Sequence, residues 1–202
     1  MNTTLVGKIV SYDPAKQQAT VAIQHKQYHF KDDGSREYEA VDYPELTEVP
    51  VLQSRGGGFA FTKPIKAGDG VMLQFNGRSM DQYYKTGENK EPDSLRMNSL
   101  SDAIAIPGFE PETKALANVD NENFHIRNEA GDAGIKMSPA GKFEMYGQSG
   151  EDLVSILHDL LGLLEADQLV INGGSSAGSG HELSNRAGYA DLKGKVAGLK
   201  LR

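Results

Sequence analysis

Between residues 124 and 150 a short pattern recurs, and it constrains the fold more than any other stretch of the chain. Phe124-His125-Ile126-Arg127 runs to Gly131, Gly134-Ile135-Lys136-Met137 to Gly141, and Lys142-Phe143-Glu144-Met145 to Gly150. Each segment places two apolar residues two positions apart, which on a strand puts them on one face. A sheet this small is marginal in water and cannot cover that face by itself. Winding several copies of the chain about a common axis buries the face and covers the strand edges. The expectation for residues 123–150 is a short, intertwined trimeric β-helix or β-prism shaft with glycines at its corners. Its core would be Phe124, Ile126, Ile135, Met137, Phe143 and Met145.

Composition agrees with a core completed by other copies. Only 38% of the 202 residues are hydrophobic, Trp is absent and Gly numbers 23, a thin supply of large apolar side chains for one globule. The absence of cysteine excludes disulfides, thiolate metal sites and cysteine nucleophiles. A net charge of −7 argues against binding nucleic acid, which requires clustered Lys and Arg. The start of the sequence has neither the charged lead nor the apolar stretch of a signal peptide, and no run approaches the ~18–20 apolar residues of a membrane helix. The expectation is a soluble chain without a cleaved address.

The first 110 or so residues read as β structure. Residues 5–12 and 19–25 alternate apolar and polar side chains around Asp13-Pro14-Ala15-Lys16, as in a hairpin with one buried face. Residues 26–43 form a polar stretch with a turn signal at Asp32-Asp33-Gly34-Ser35. Short strands follow at 48–53, 59–62, 71–75 and 102–106. Five or six short strands in this length indicate a mainly β domain, 1–111, with an OB-fold barrel preferred. Residues 112–122 read as a linker. After the shaft, 151–202 reads as a C-terminal α-helical region. Ser149-Gly150-Glu151-Asp152 suits a helix start, and Leu153, Ile156, Leu157, Leu160, Leu161 and Leu164 form an apolar stripe. A Gly/Ser-rich connector at 173–180 leads to a second helix with Tyr189, Leu192, Val196 and Leu199 on a narrow seam, and Lys200 and Arg202 near its end. Gly188, Gly194 and Gly198 weaken that helix. Helix packing is assigned to Leu153, Ile156, Leu157, Leu160, Leu164, Leu192, Val196 and Leu199.

Several fragments occur together in one order: Val49-Pro50-Val51, Arg55-Gly56-Gly57-Gly58-Phe59-Ala60-Phe61, Pro64, Gly68-Asp69, Val71-Met72-Leu73-Gln74-Phe75, Arg78-Ser79-Met80-Asp81, and the run from Leu100 through Asp102 to Gly108. In this arrangement the segment resembles the N-terminal OB-fold domain of the membrane-piercing central spike proteins of contractile-tailed phages. The resemblance covers about half of the chain. It implies a non-enzymatic homotrimer in the virion, docked under the tail hub of the baseplate, with a shaft that contacts the host outer membrane transiently during contraction. Spikes of this family with a sharpened tip carry a His-x-His pair for iron. Here His125 has no partner two residues away, so no metal or other cofactor is expected. A separate tip protein, helices folded back along the shaft, and a helical bundle all remain open for the C-terminal end.

Gly56-Gly57-Gly58 lacks the lysine and hydroxyl that open the helix of a phosphate loop and reads as a backbone turn or close approach. His25 and His29, four apart outside a helix, do not suit metal ligation. His158 beside Asp159 reads as a hydrated or interface histidine, and His125 should point outward from the shaft. Asp32, Asp33, Glu37 and Glu39 read as one solvated loop rather than a catalytic pair, and no nucleophile elbow occurs. Arg55, Arg78 and Arg96 lie in or near the family-like segment, with Asp69, Asp81 and Asp102 as plausible partners. Hub or interdomain contacts and ordinary surface charge stand as alternative roles for them. A competing function is an OB-fold module for oligonucleotides or saccharides, with Phe59, Phe61, Tyr83 and Tyr84 as stacking platforms.

Overall fold

The computed structural model describes residues 3–32, 35, 37–147, 150, 152–170, 174, 180–182 and 186–199. They divide into two units, Met1–Ala115 and Leu116–Arg202.

The first unit begins with β1 (Thr4–Asp13) and β2 (Gln18–Ile23). Their turn is held by the Asp13 carboxylate, which accepts from the N–H groups of Ala15 and Lys16. β3 (Lys26–Phe30) and β4 (Tyr38–Asp42) form a separate hairpin, followed by β5 (Leu46–Pro50). β6 (Ser54–Gly56) and β7 (Phe59–Phe61) form another hairpin. β8 (Gly70–Phe75), the short helix α1 (Asp81–Thr86) and β9 (Ala103–Pro107) complete the unit. The main sheet runs β5-β2-β1-β8-β9, with each neighbouring pair antiparallel.

The sequence reading is an OB-fold barrel; the sheet curls into a half-barrel. Its two edges approach at a single parallel bridge, Val51 to Ala105, where the Leu52 N–H donates to the Ala105 carbonyl at 2.9 Å. Pro50 and Pro107 end the two edge strands, and neither can donate to a longer ladder. The concave side is filled by small and branched residues, among them Val21, Val71, Leu73 and Ala105, all fully buried. The curl is tight: a Cβ on Gly7 would come 2.5 Å from Val21 Cγ1, so this core-facing position on β1 tolerates no side chain.

Two elements depart from the sequence reading. Residues 26–43, read as a polar stretch with a turn signal and assigned no strand bounds, contain β3 and β4. Every residue of these strands except Gln27 is exposed, so no buried face imposes the alternation by which strands are recognised. The helix α1 is too short for a helical period to show. It ends on Gly87, whose φ of 70° lets its N–H turn back to the Tyr83 carbonyl. In the β6–β7 hairpin Gly57 and Gly58 both have positive φ, the requirement of the two-residue turn that suits strand twist. The triplet is therefore a turn, with nothing near enough to count as close packing.

The second unit contains β10 (Phe124–Arg127), β11 (Gly134–Met137) and β12 (Phe143–Tyr146), an antiparallel meander within one chain. These strands fall within a residue of the expected positions. Gly131, Gly141 and Gly150 all take positive φ, and the N–H groups of Gly131 and Gly141 close the two turns between the strands. Residues 116–122, expected as linker, belong to this unit. Helix α2 (Leu153–Ala166) follows, then β13 (Gln168–Val170), β14 (Gly180–Glu182) and α3 (Arg186–Leu199). The β13–β14 pair has no counterpart in the sequence reading, and Gly180, the last residue of the connector 173–180, begins β14. Of that connector, 173 and 175–179 lie outside the described residues, as do Ser149, Glu151, Lys200 and Arg202. Gly188, Gly194 and Gly198 are accommodated within α3.

Candidate interaction surfaces

In the meander, register sorts the side chains into cross-strand rows. Phe124, Met137 and Phe143 form one row, and Ile126, Ile135 and Met145 the next. All six share one face, and all are exposed, from 39% for Phe143 to 61% for Phe124. On the other face Lys136 lies between His125 and Glu144, and Glu144 is only 1% exposed. Lys136 sits 3.5 Å from Asp120 and 3.9 Å from Glu144. The His125 Nε2 meets the Tyr146 hydroxyl at 2.6 Å, and that hydroxyl donates to the Gly131 carbonyl. Arg127 donates to the Ala117 carbonyl at 2.6 Å. Segment 116–123 thus supplies partners to the charged face, while the apolar face stays open. The sheet is inside out for a lone chain.

Charges behave accordingly on the covered face. Burial, with Lys136 and Arg127 nearby, lowers the His125 pKa and favours the neutral ring. Hydrogen bonds from Asn123 and from the N–H groups of Glu122 and Asn123 hold the Asp120 carboxyl well below the usual range. These partners were not found from the sequence. His125 and Glu144 alternate with the apolar residues and so share the other face, but nothing in their spacing shows that it is covered.

The meander leads directly into α2. Asp152 is the helix N-cap, 3% exposed, and its carboxylate accepts from the Ser155 N–H and hydroxyl and from the Met145 N–H at 2.9 Å. Burial alone would raise the Asp152 pKa, but the bonds from Ser155, Met145 and Val154 outweigh it and leave the pKa lowered. No residue of α2 is buried. Of the residues assigned to helix packing, Leu153, Ile156, Leu157 and Leu160 are exposed and Leu164 is half-buried. Leu163, absent from that assignment, is the most exposed at 72%. On α3 Leu192 is exposed and Val196 half-buried; Leu199 is the last residue of that helix. Between the two helices the Lys193 side chain lies against Gly162 and pairs with Glu165 at 3.4 Å. His158 contacts its neighbour Asp159.

In the half-barrel the structure unites three of the six charged residues singled out by sequence. Arg96 makes a two-pronged contact to Asp102, at 2.7 Å in each prong, and its Nη2 also reaches Asp81 at 2.9 Å. Asp102 is fully buried and accepts from the Met80 N–H as well. Its hydrogen bond with Arg96 lowers the Asp102 pKa, and the same bond, with that of Asp81, raises the Arg96 pKa. The cluster ties α1 and the segment before β9 to the sheet. Asp69 instead caps a turn by accepting from the Lys66 N–H. Arg55 and Arg78 are exposed.

Aromatic side chains project from both hairpins. Phe59 and Phe61 on β7 are 84% and 65% exposed, and Phe30 on β3 stacks on Tyr38 of β4 with ring centroids 4.4 Å apart. Tyr83 and Tyr84 on α1 are exposed. A groove of about 540 Å³ between β5 and α1 is lined by Glu45, Glu48, Asp81, Lys85 and Arg96 among others, a mixed-charge wall without the basic stripe that a nucleic acid requires. Among the described residues no group of three or more His, Cys, Asp or Glu is placed to hold a metal ion, and no helix is long and apolar enough to cross a membrane. His25 and His29 are exposed and lie outside any helix. Asp32, Glu37 and Glu39 are exposed; Asp33 lies outside the described residues.

A family model described as the phage protein Gp138 N-terminal domain matches residues 5–108, just over half of the 202 residues. Comparison with curated proteins gives no match.

Proposed function

Because the chain belongs to the family defined by the phage protein Gp138 N-terminal domain, we propose that it is a structural protein of a phage tail baseplate, the homotrimeric central spike. In this reading the half-barrel is an OB fold. Its strand order and the parallel Val51–Ala105 bridge between its edges support that assignment. The half-barrel docks under the tail hub, and the exposed aromatics of β7 and of the β3–β4 hairpin are its contact candidates. The meander forms a three-chain shaft, which pushes through the host outer membrane as the tail contracts. Its work is mechanical: a shared apolar axis and interchain packing carry load without catalysis.

One observation carries this reading. The apolar rows Phe124–Met137–Phe143 and Ile126–Ile135–Met145 face solvent while the charged face beneath them is covered. Exposing six large apolar side chains together costs free energy that only an assembly recovers. Light scattering or native mass measurement at micromolar concentration tests it. The expected mass is three times the 21.9 kDa of one chain, persisting in detergent without boiling. A monomeric mass would overturn the proposal.

A further inference from the structure

We infer that α2 forms a parallel three-helix coiled coil with the α2 helices of two other copies, and that α3 forms its outer layer; this rests on the homotrimer proposed above. Leu153, Ile156, Leu160 and Leu163 follow one another at three-, four- and three-residue spacing, the a and d positions of two heptads. All four are about half exposed or more. At 3.6 residues per turn this stripe lies opposite Gly162 and Glu165, the positions that meet Lys193 of α3. The helix thus has one face satisfied within the chain and one left over.

Three features select copies of the same helix as the occupant. In the first heptad Leu153 at a is followed by Ile156 at d, the pairing that favours three- or four-stranded over two-stranded coiled coils; the second heptad has Leu at both positions. Leu157 and Leu164 widen the stripe at the e positions, which suits a core with more than one neighbour per helix. The stripe itself carries no charge, so nothing in it answers a charged partner. Attachment fixes the direction. The Asp152 carboxylate binds the Met145 N–H, so the helix starts at the end of the row Ile126–Ile135–Met145. Chains brought together by that row deliver their helices side by side and parallel. A 14-residue helix with no buried residue is also marginal alone.

The absence of cysteine makes the test direct. Leu160→Cys and Leu163→Cys are made separately in the full chain, with Lys195→Cys on the exposed side of α3 as the comparison. Oxidation of either leucine variant should shift chain from the monomer to a covalent dimer on a non-reducing gel. A monomer band remains, because the third thiol around the axis has no partner. Lys195→Cys should stay monomeric. A native mass of three copies with no dimer at Leu160 or Leu163, or with as much dimer at Lys195, overturns the coiled coil and leaves the spike reading standing. A native mass of one copy for the unsubstituted chain overturns both. If a reduced leucine variant keeps its helical circular dichroism but loses the trimer mass, the stripe is confirmed as a contact between copies.

Discussion

Arg96 and Asp102 show how an ion pair in this fold is divided between its partners. Asp102 is fully buried, whereas the Arg96 side chain is 28% exposed. Removing the arginine therefore strands a carboxylate away from water, while removing the acid leaves a guanidinium that still reaches Asp81 and solvent. Arg96→Met should cost about 3–5 kcal/mol of stability, the usual cost of an uncompensated buried charge. Asp102→Asn should cost less, about 1–3 kcal/mol. Denaturant unfolding followed by circular dichroism at pH 7 checks the order. The pH dependence has a definite sign. The folded-state pKa of Asp102 is depressed by Arg96, so its stabilisation is present above the unfolded carboxylate pKa of about 3.9 and is lost as pH falls through the folded value. The gap between wild type and Arg96→Met should narrow from pH 7 to pH 3, since protonation relieves the variant's buried charge. A gap that widens on acidification would refute this account. The sequence supplied Arg96, Asp81 and Asp102 as candidates, but their union depends on α1, a helix of six residues with no period to read.

At the scale of elements, legibility follows burial. β1, β2 and β8 each bury one face, and the resulting alternation marks them in the sequence. The β10–β12 strands were equally plain, because an apolar pair on one face alternates with charge on the other. The β3–β4 hairpin buries neither face, so nothing in its residues separates strand from loop. The apolar stripe of α2 is legible in the sequence, whereas the contact of Gly162 and Glu165 with Lys193 of α3 is not. A glycine and a charged residue give no hydrophobic signal for a helix contact. The junction between β12 and α2 rests on one carboxylate, and its effect is measurable. Asp152→Ala removes the N-cap and leaves the Met145 N–H without its acceptor. The loss should be about 1–2 kcal/mol. Amide exchange should rise in the first turn of α2 and at Met145, with the half-barrel amides unchanged. Protection that falls evenly over both units would contradict a local role.

For the whole molecule, the decisive asymmetry is that the two units complete their interiors differently. The half-barrel draws its core from Ile9 to Ala105, all within its own unit. The meander has its charged face covered and its apolar face bare. A charge placed on that bare face should therefore disrupt association and spare the half-barrel. Ile135 is the best position, since it lies in the central strand between Ile126 and Met145 and is 44% exposed within one chain. In the single chain a lysine there can extend into water; in a closed three-chain shaft it would meet two like charges near the axis without hydration. Ile135→Lys should shift the native mass from three copies toward one at micromolar concentration. The amides of β1, β2 and β8 should keep their exchange protection. Lys136, the next residue along the strand, provides the comparison, because its side chain pairs with Asp120 on the covered face. Lys136→Met should leave the subunit count unchanged and affect only the stability of each chain. If both substitutions dissociated the assembly equally, or neither did, the apolar rows would not be the surface that holds three chains together.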